Sequence, residues 1–299
     1  NPLILIDEHS STILQEINTE YGTIDLNDLY YETGTSGTRV QGEDTLSLSF
    51  TATLGNGDRV IKTYRIPGNS YVVLHDMSLG EIRDEMMAPD LLFSWKNDLK
   101  QFEKDLKTSQ MKATINYYTP SDGFDDLSET STDFEEEVID MPVKWIAFKQ
   151  KFFTSAIVSH ETFRNAYVSL NPGNLEPGVV KSCLIRTTIS ADDLEKGIEY
   201  YFGPNNYQIL KKVDEGFARN IYLGWTPVNW VNKFLIIPTF QFLERFISNY
   251  GIIIILLVIF IKILLFPLTY KSYMSMAKTK VLKPELDAIK EKHGGDMQK

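Results

Sequence analysis

From Leu46 to Leu54 apolar and polar residues alternate strictly, with Leu46, Leu48, Phe50, Ala52 and Leu54 on one side and hydroxyl-bearing residues between them. This pattern predicts a half-buried strand. Residues 55–58 read Gly-Asn-Gly-Asp, and Val60, Ile61 and Tyr64 resume the apolar positions across Arg59 to Ile66, which predicts a hairpin closed by a Gly/Asn turn. Pro67-Gly68-Asn69 punctuates the chain before a further strand at Tyr71 to Leu74. The theme recurs at Leu91 to Trp95, Ala113 to Tyr118, Trp145 to Val158, Tyr167 to Leu170 and Val179 to Thr188. Many short strands separated by turn residues point to an antiparallel β-sandwich rather than to alternating βα units. Helix is predicted over Lys96 to Lys107, where Leu99, Phe102 and Leu106 recur at helical spacing, with short helical turns at Asp192 to Lys196 and Asn205 to Lys212. The Asp and Glu residues between Ser121 and Asp140 read as a solvated loop or sheet edge, and their spacing matches no EF-hand pattern.

The character of the chain changes at Trp225. Trp225, Trp230, Phe234, Leu235, Phe240, Leu243, Phe246 and Ile247 supply an apolar surface, while Asn229, Asn232, Lys233, Gln241, Glu244, Arg245 and Ser248 supply a polar one. This predicts a helix lying at a membrane interface, kinked or divided by Pro238. The competing reading is an amphipathic helix packed on a soluble domain, and the apolar run that follows favours the membrane surface. That run, Tyr250 to Leu268, spans about 28 Å as a helix, close to the thickness of a hydrocarbon core.

Lys262 lies inside this run. A lysine at the centre of a membrane helix costs about 2.5–3.5 kcal/mol, so one that is kept either snorkels to the interface or meets a polar cavity formed with other helices. Pro267 and Pro284 bracket the segment beyond. Leu286, Ala288 and Ile289 then sit among charged residues in a predicted short amphipathic helix ending at Gly294-Gly295.

Charge divides the chain at the same place. Residues 251–299 carry eight lysines and four acidic residues, a balance of +4, which leaves −14 of the total −10 for residues 1–250. An acidic first part argues against nucleic-acid binding, which needs a basic face against the phosphates. Lys271, Lys278, Lys280 and Lys283 follow the apolar run, against Lys233 and Arg245 before it, so the positive-inside rule places the carboxyl end in the cytoplasm. Cys183, the single cysteine, excludes a disulfide within the chain and reads as a small buried apolar residue.

Catalysis finds little support. His75-Asp76 resembles half of an acid/base pair, yet no Gly-rich phosphate loop, nucleophile elbow or metal-ligand pair accompanies it. His9, His75, His160 and His293 are scattered, and no cofactor or metal site is expected. A hydrolytic enzyme therefore ranks last among the possible functions.

Three blocks of sequence resemble the YidC/Oxa/Alb family of membrane protein insertases in its Gram-negative, YidC-type form. One runs from Gly251 through Lys262 to Phe266-Pro-Leu-Thr269, and continues with Ser275-Met-Ala-Lys278 and Leu282-Lys-Pro-Glu-Leu286. The others are Trp145-Ile-Ala-Phe-Lys-Gln-Lys-Phe-Phe153 and Tyr201-Phe-Gly-Pro204 through Gly224-Trp225. The resemblance implies a large periplasmic β-sandwich, a surface helix, and core membrane helices around a hydrophilic groove that receives the polar tail of a substrate. It also implies nascent membrane proteins, the lipid bilayer, the Sec translocon and the ribosome as partners. At the position matched by Lys262 the family usually carries Arg, so the charge is kept while the bidentate fork is lost.

Expected, then, is a mostly β chain. Residues 1–225 would form the sandwich, 226–249 the interfacial helix, 250–270 the transmembrane helix and 271–299 the first arm of a cytoplasmic helical hairpin. The first residues carry no Met and no complete anchor, and family members continue past the hairpin, so a piece of a longer protein is expected, unable to insert substrates alone. Lys262 is the candidate groove residue, and Trp225, Trp230, Phe234, Phe240 and Phe246 are the candidate interface residues. The alternative is a membrane-anchored periplasmic module that binds a ligand or glycan.

Overall fold

A computed structural model describes residues 4–34, 39–173 and 175–292, with side-chain surroundings as far as residue 284. The chain divides into two compact units, Asn1–Ile221 and Tyr222–Lys299. The first is a β-sandwich in which every strand pairing is antiparallel.

A six-stranded sheet runs in the order β10 (Glu135–Ile139), β13 (Ala166–Asn171), β14 (Val179–Ser190), β7 (Asp90–Lys100), β1 (Ser11–Thr19) and β2 (Gly22–Asp25). A nine-stranded sheet runs β3 (Tyr31–Thr33), β4 (Thr45–Thr53), β5 (Arg59–Pro67), β6 (Val72–Ser78), β15 (Ile198–Pro204), β12 (Phe153–Phe163), β11 (Val143–Lys149), β8 (Thr114–Thr119) and β9 (Gly123–Asp126). Between the sheets lies one apolar core that includes Leu91, Phe93 and Trp95 from β7, Ile146 and Phe148 from β11, and Ile185 and Ile189 from β14. Cys183 is buried in it, where burial pushes its thiol well above the usual range.

The predicted β4–β5 hairpin is present, with Gly57 at φ 91° in the turn, a conformation that glycine adopts without strain. The acidic stretch provides both far edges, β10 in one sheet and β9 in the other. Glu135, Glu136 and Glu137 place charge along such an edge, which discourages pairing with another chain.

The helix predicted over Lys96 to Lys107 is not formed. Residues up to Lys100 belong to β7, in which Leu91, Phe93, Trp95, Asn97 and Leu99 alternate into the core, and only Leu106–Gln110 is helical (α1). Period two won because β7 is central, paired with β1 on one side and β14 on the other. Trp145 to Val158, read as one apolar stretch, is two strands with a turn at Gln150–Phe152.

The outer face of the nine-stranded sheet explains why Trp145-Ile-Ala-Phe148 is apolar throughout. Alternation turns Ile146 and Phe148 into the sandwich core and Trp145 and Ala147 outward, where they meet Val158, Tyr201, Leu210 and Phe217 in a second cluster. This cluster is covered by α3 (Tyr207–Leu210) and a 3₁₀ turn at Phe217–Asn220. The indole Nε1 of Trp145 donates to the carbonyl of Glu215 at 2.8 Å, which fixes that segment to the sheet. The other short helix expected from the sequence is also present, as α2 (Ala191–Lys196), with the Ser190 hydroxyl accepting from Asp193 N at its start.

Candidate functional site

The second unit opens with α4 (Thr226–Val231), which passes through a π-helical stretch, Asn232–Ile236, into α5 (Ile237–Glu244). Pro238 has no N–H to return to an earlier carbonyl, and the helix adapts just ahead of it: Ile237 N donates to Asn232 O in the wider π register. The expected disturbance at Pro238 thus takes the form of a change in hydrogen-bond register.

Trp225, Trp230, Phe234 and Phe246 are exposed, as are Val228, Val231 and Phe242. Phe240 differs from its neighbours. It is half-buried and stacks on Tyr250, with centroids 6.0 Å apart and planes 6° from parallel. Tyr250 Oη also donates to Glu244 Oε1 at 2.9 Å, so the turn between α5 and the next helix is held by one stack and one hydrogen bond.

That next helix, α6, runs from Tyr250 to Lys292. Asn249 caps it: the Asn249 Oδ1 accepts from Gly251 N at 2.9 Å and from Ile252 N at 3.3 Å. Its 43 residues make about 65 Å of helix, some twice the ~30 Å of a hydrocarbon core. Pro267 and Pro284, expected to bracket a segment, both lie inside the helix. Thr269 Oγ1 donates to the carbonyls of Leu265 at 3.1 Å and Phe266 at 3.0 Å, taking up acceptors beside the break that Pro267 makes in the ladder. His293 and Gly294-Gly295 lie outside the described residues, as do the side-chain surroundings of Leu286, Ala288 and Ile289.

Tyr250–Pro284 is long and apolar enough to cross a membrane, and almost none of its most apolar stretch is buried, Ile253 being the exception. So much exposed apolar surface has no stable home in water.

Lys262 is exposed and makes no hydrogen bond or ion pair among the described residues. Helical spacing puts Thr269 two turns further along the same face, and Tyr273, Met276 and Lys280 continue it. Lys262, Thr269, Tyr273 and Lys280 thus share one stripe of the helix with Phe266 and Met276, and Thr269 gives its hydroxyl proton to the helix backbone.

Strand alternation separates His75 from Asp76. The imidazole points into the sandwich core, while Asp76 pairs on the other face with Arg65 at 2.6 Å. His160 lies 3.9 Å from Glu199 and His9 lies 3.6 Å from Glu8. Among the described residues no group of three or more His, Cys, Asp or Glu side chains is arranged to hold a metal.

Two features with consequences were not anticipated from the sequence. The Asn249 cap was visible as an Asn just before the apolar run, a standard start signal. The Tyr250–Glu244 contact had no comparable signature.

A β-sandwich joined to a helix of membrane-crossing length, with exposed aromatic helices between, defines a membrane-anchored extramembrane domain. Residues 7–237 match the YidC periplasmic domain family, and residues 242–299 match the family described as 60Kd inner membrane protein. The chain belongs to the YidC family of inner membrane proteins, and its sandwich is the periplasmic domain of that family.

It is similar to a protein of Amoebophilus asiaticus named membrane protein insertase YidC, with 37% identity over 99% of this chain and 51% of the relative. A protein of the same name from Parabacteroides distasonis is 35% identical over 98% of this chain and 47% of its own length. The chain therefore spans about half the length of the curated relatives it matches. Among solved structures, a GH36 α-galactosidase from Geobacillus stearothermophilus aligns with a TM-score of 0.34 and 10% identity over 64% of this chain and 30% of its own, a likeness too low to carry an argument.

Proposed function

We propose that this chain is the periplasmic and first core portion of a membrane protein insertase, and that Lys262 supplies positive charge to a hydrophilic groove completed by further helices. The observation that carries the reading is the pairing of two family matches that together take in nearly the whole chain, the second of which contains a helix with a single lysine in its apolar run. The relatives' shared name, membrane protein insertase, supports it.

Physically, such a protein needs no covalent chemistry. A polar tail crossing hydrocarbon faces a cost of several kcal/mol for each unsatisfied backbone group, and a hydrated groove removes part of that barrier. Burial of the substrate's own apolar segment drives the transfer. Lys262 would attract acidic tails, and Tyr273 on the same face would offer a hydrogen bond further along. α4 and α5 would lie at the headgroup level, with Trp225, Trp230, Phe234 and Phe246 towards the acyl chains and Phe240 braced on Tyr250.

Lys271, Lys278, Lys280 and Lys283 place the far end of α6 in the cytoplasm by the positive-inside rule. With residues 271–299 as the first arm of a hairpin there, contact with a ribosome or with a translocon in the same membrane is sterically open. The substrates are nascent membrane proteins.

The test is reconstitution of the whole protein that contains this chain into vesicles, followed by synthesis of a single-span substrate and protease protection of its translocated tail. Insertion above that of empty vesicles is expected; insertion no better than empty vesicles contradicts the reading.

A further inference from the structure

The inner face of the sandwich carries a cavity that the membrane function does not use. The six-stranded sheet ends at β1 and β2, and along that margin Ile13 and Gln15 of β1 face Tyr64, Val73, Tyr200 and Phe202 of the nine-stranded sheet across about 130 Å³ of space. A cavity of ~150 Å³ takes up a molecule of benzene, so this one has room for about one six-membered ring.

The walls are three aromatic rings, two aliphatic side chains and two amides, and three polar atoms in them lack a protein partner. Gln15 is 1% exposed. Its Nε2 lies 3.4 Å from Nε2 of His75, whose Nδ1 lies 3.3 Å from Thr63 O. Burial holds the imidazole neutral by pushing its pKa down to about 4, so Nδ1–H donates to Thr63 and Nε2 accepts from the Gln15 amide. This fixes the amide orientation and leaves Gln15 Oε1 with no hydrogen bond among the described residues. The hydroxyls of Tyr64 and Tyr200 likewise have no hydrogen-bond partner among the described residues, although Tyr200 is only 4% exposed. None of the three is sealed from solvent without a partner; each is a polar group at the wall of a partly open space, where a ligand hydroxyl can replace water.

No charged side chain is among the residues that line the space. Lys62, the nearby cation, donates to Leu26 O and Asn27 Oδ1 and lies 4.5 Å over the ring of Tyr31. Asn27, which also borders the space, spends its Nδ2 on Ile13 O. What remains on offer is aromatic surface, two phenol hydroxyls and one amide oxygen.

We propose that this cavity is a binding site for one neutral, hydroxylated six-membered ring, held between the faces of Tyr64, Tyr200 and Phe202 and hydrogen-bonded by Gln15 Oε1 and the two tyrosine hydroxyls. Such a ring occurs in a sugar residue and in a phenol, and the two sources are separated by experiment. Trp95 stands edge-on to Tyr200 and Phe202 at 5.8 and 5.9 Å, which makes its fluorescence a natural reporter of occupancy.

The full chain in detergent micelles is titrated with methyl glucoside and with phenol, with benzene as the ring lacking a hydroxyl, and binding is read by saturation transfer to ligand protons and by tryptophan fluorescence. Saturable binding of at least one hydroxylated ring is expected, more tightly than benzene. Tyr64→Phe and Tyr200→Phe should each weaken it about five- to tenfold, and Val73→Phe, which fills the space, should abolish it. Tyr64→Phe keeps the ring and its packing, so the test stands even if Val73→Phe disturbs the fold. The proposal is overturned if neither hydroxylated ring binds saturably, if benzene binds as tightly, or if Tyr64→Phe and Tyr200→Phe leave affinity unchanged.

Discussion

The imidazole of His75 lies flat on the ring of Tyr64, with centroids 4.3 Å apart and planes 12° from parallel. Both sit inside a β-sandwich, and His75 is wholly buried. Burial lowers its pKa to about 4, against about 6.5 for an unfolded histidine. Above pH 6.5 the group is neutral in both states and contributes nothing. Below it the unfolded chain gains a proton that the folded chain refuses, so stability falls as pH drops from about 6.5 to about 4, by about 3 kcal/mol in all. Denaturant unfolding across this range should show a steeper loss in the parent than in His75→Gln, because carboxylates contribute equally to both. Parallel curves would mean that His75 takes up its proton while folded.

Glu129 holds three lysines elsewhere in the sandwich. Its carboxylate pairs with Lys149, which is nearly buried, and with Lys112 at 3.6 Å, and its carbonyl accepts from Lys181 Nζ at 3.0 Å. Burial, with Lys112 and Lys181 adding repulsion, already lowers the Lys149 pKa to about 8. Glu129→Gln should destabilise the domain by about 3 kcal/mol, since the ammonium then loses its paired carboxylate and keeps only the more distant attraction of Asp126. Adding Lys149→Met should recover much of that loss. A double variant no more stable than Glu129→Gln would show that the pair is not the source.

Trp145 is the centre of the second cluster, on the outer face of the nine-stranded sheet. It is fully buried, meets Phe217 at 4.9 Å and anchors Glu215 through its indole. Trp145→Ala should cost about 3–5 kcal/mol and release residues 205–221 before the rest of the sandwich opens. Amide exchange should show faster exchange in that segment than in β7. Uniform acceleration across the domain would contradict a local anchor.

The sandwich was legible where one sheet face is apolar, as in β4 and β5, because period two is then written in the residues. It was not legible in β7, where Leu99, Phe102 and Leu106 imitate helical spacing and only pairing with two neighbouring strands decides the outcome. β1 and β15 also escaped notice: Ser11–Thr19 is broken by Gln15, whose amide serves His75, and Ile198–Pro204 is buried on both faces. The membrane helix was legible from composition alone. Its continuation through Pro267 was not, because a single proline costs a long helix one hydrogen bond without ending it. Lys262 stood out at once, but the residues sharing its face became evident only with that continuation.

The exposed indoles of Trp225 and Trp230 bear on the interfacial placement of α4. In vesicles, lipids brominated near the headgroup should quench their fluorescence more strongly than lipids brominated at the chain ends. Quenching by neither, with an iodide-accessible signal, would place α4 in water.

The role proposed for Lys262 is that of a groove cation. Lys262→Ala and Lys262→Arg are made in the whole protein containing this chain, and insertion of a substrate with an acidic translocated tail is measured beside one whose tail is neutral. Lys262→Arg should insert both normally, whereas Lys262→Ala should lose about tenfold on the acidic tail, corresponding to about 1.4 kcal/mol, and far less on the neutral one. Normal insertion of the acidic tail by Lys262→Ala would show that the lysine has no such role.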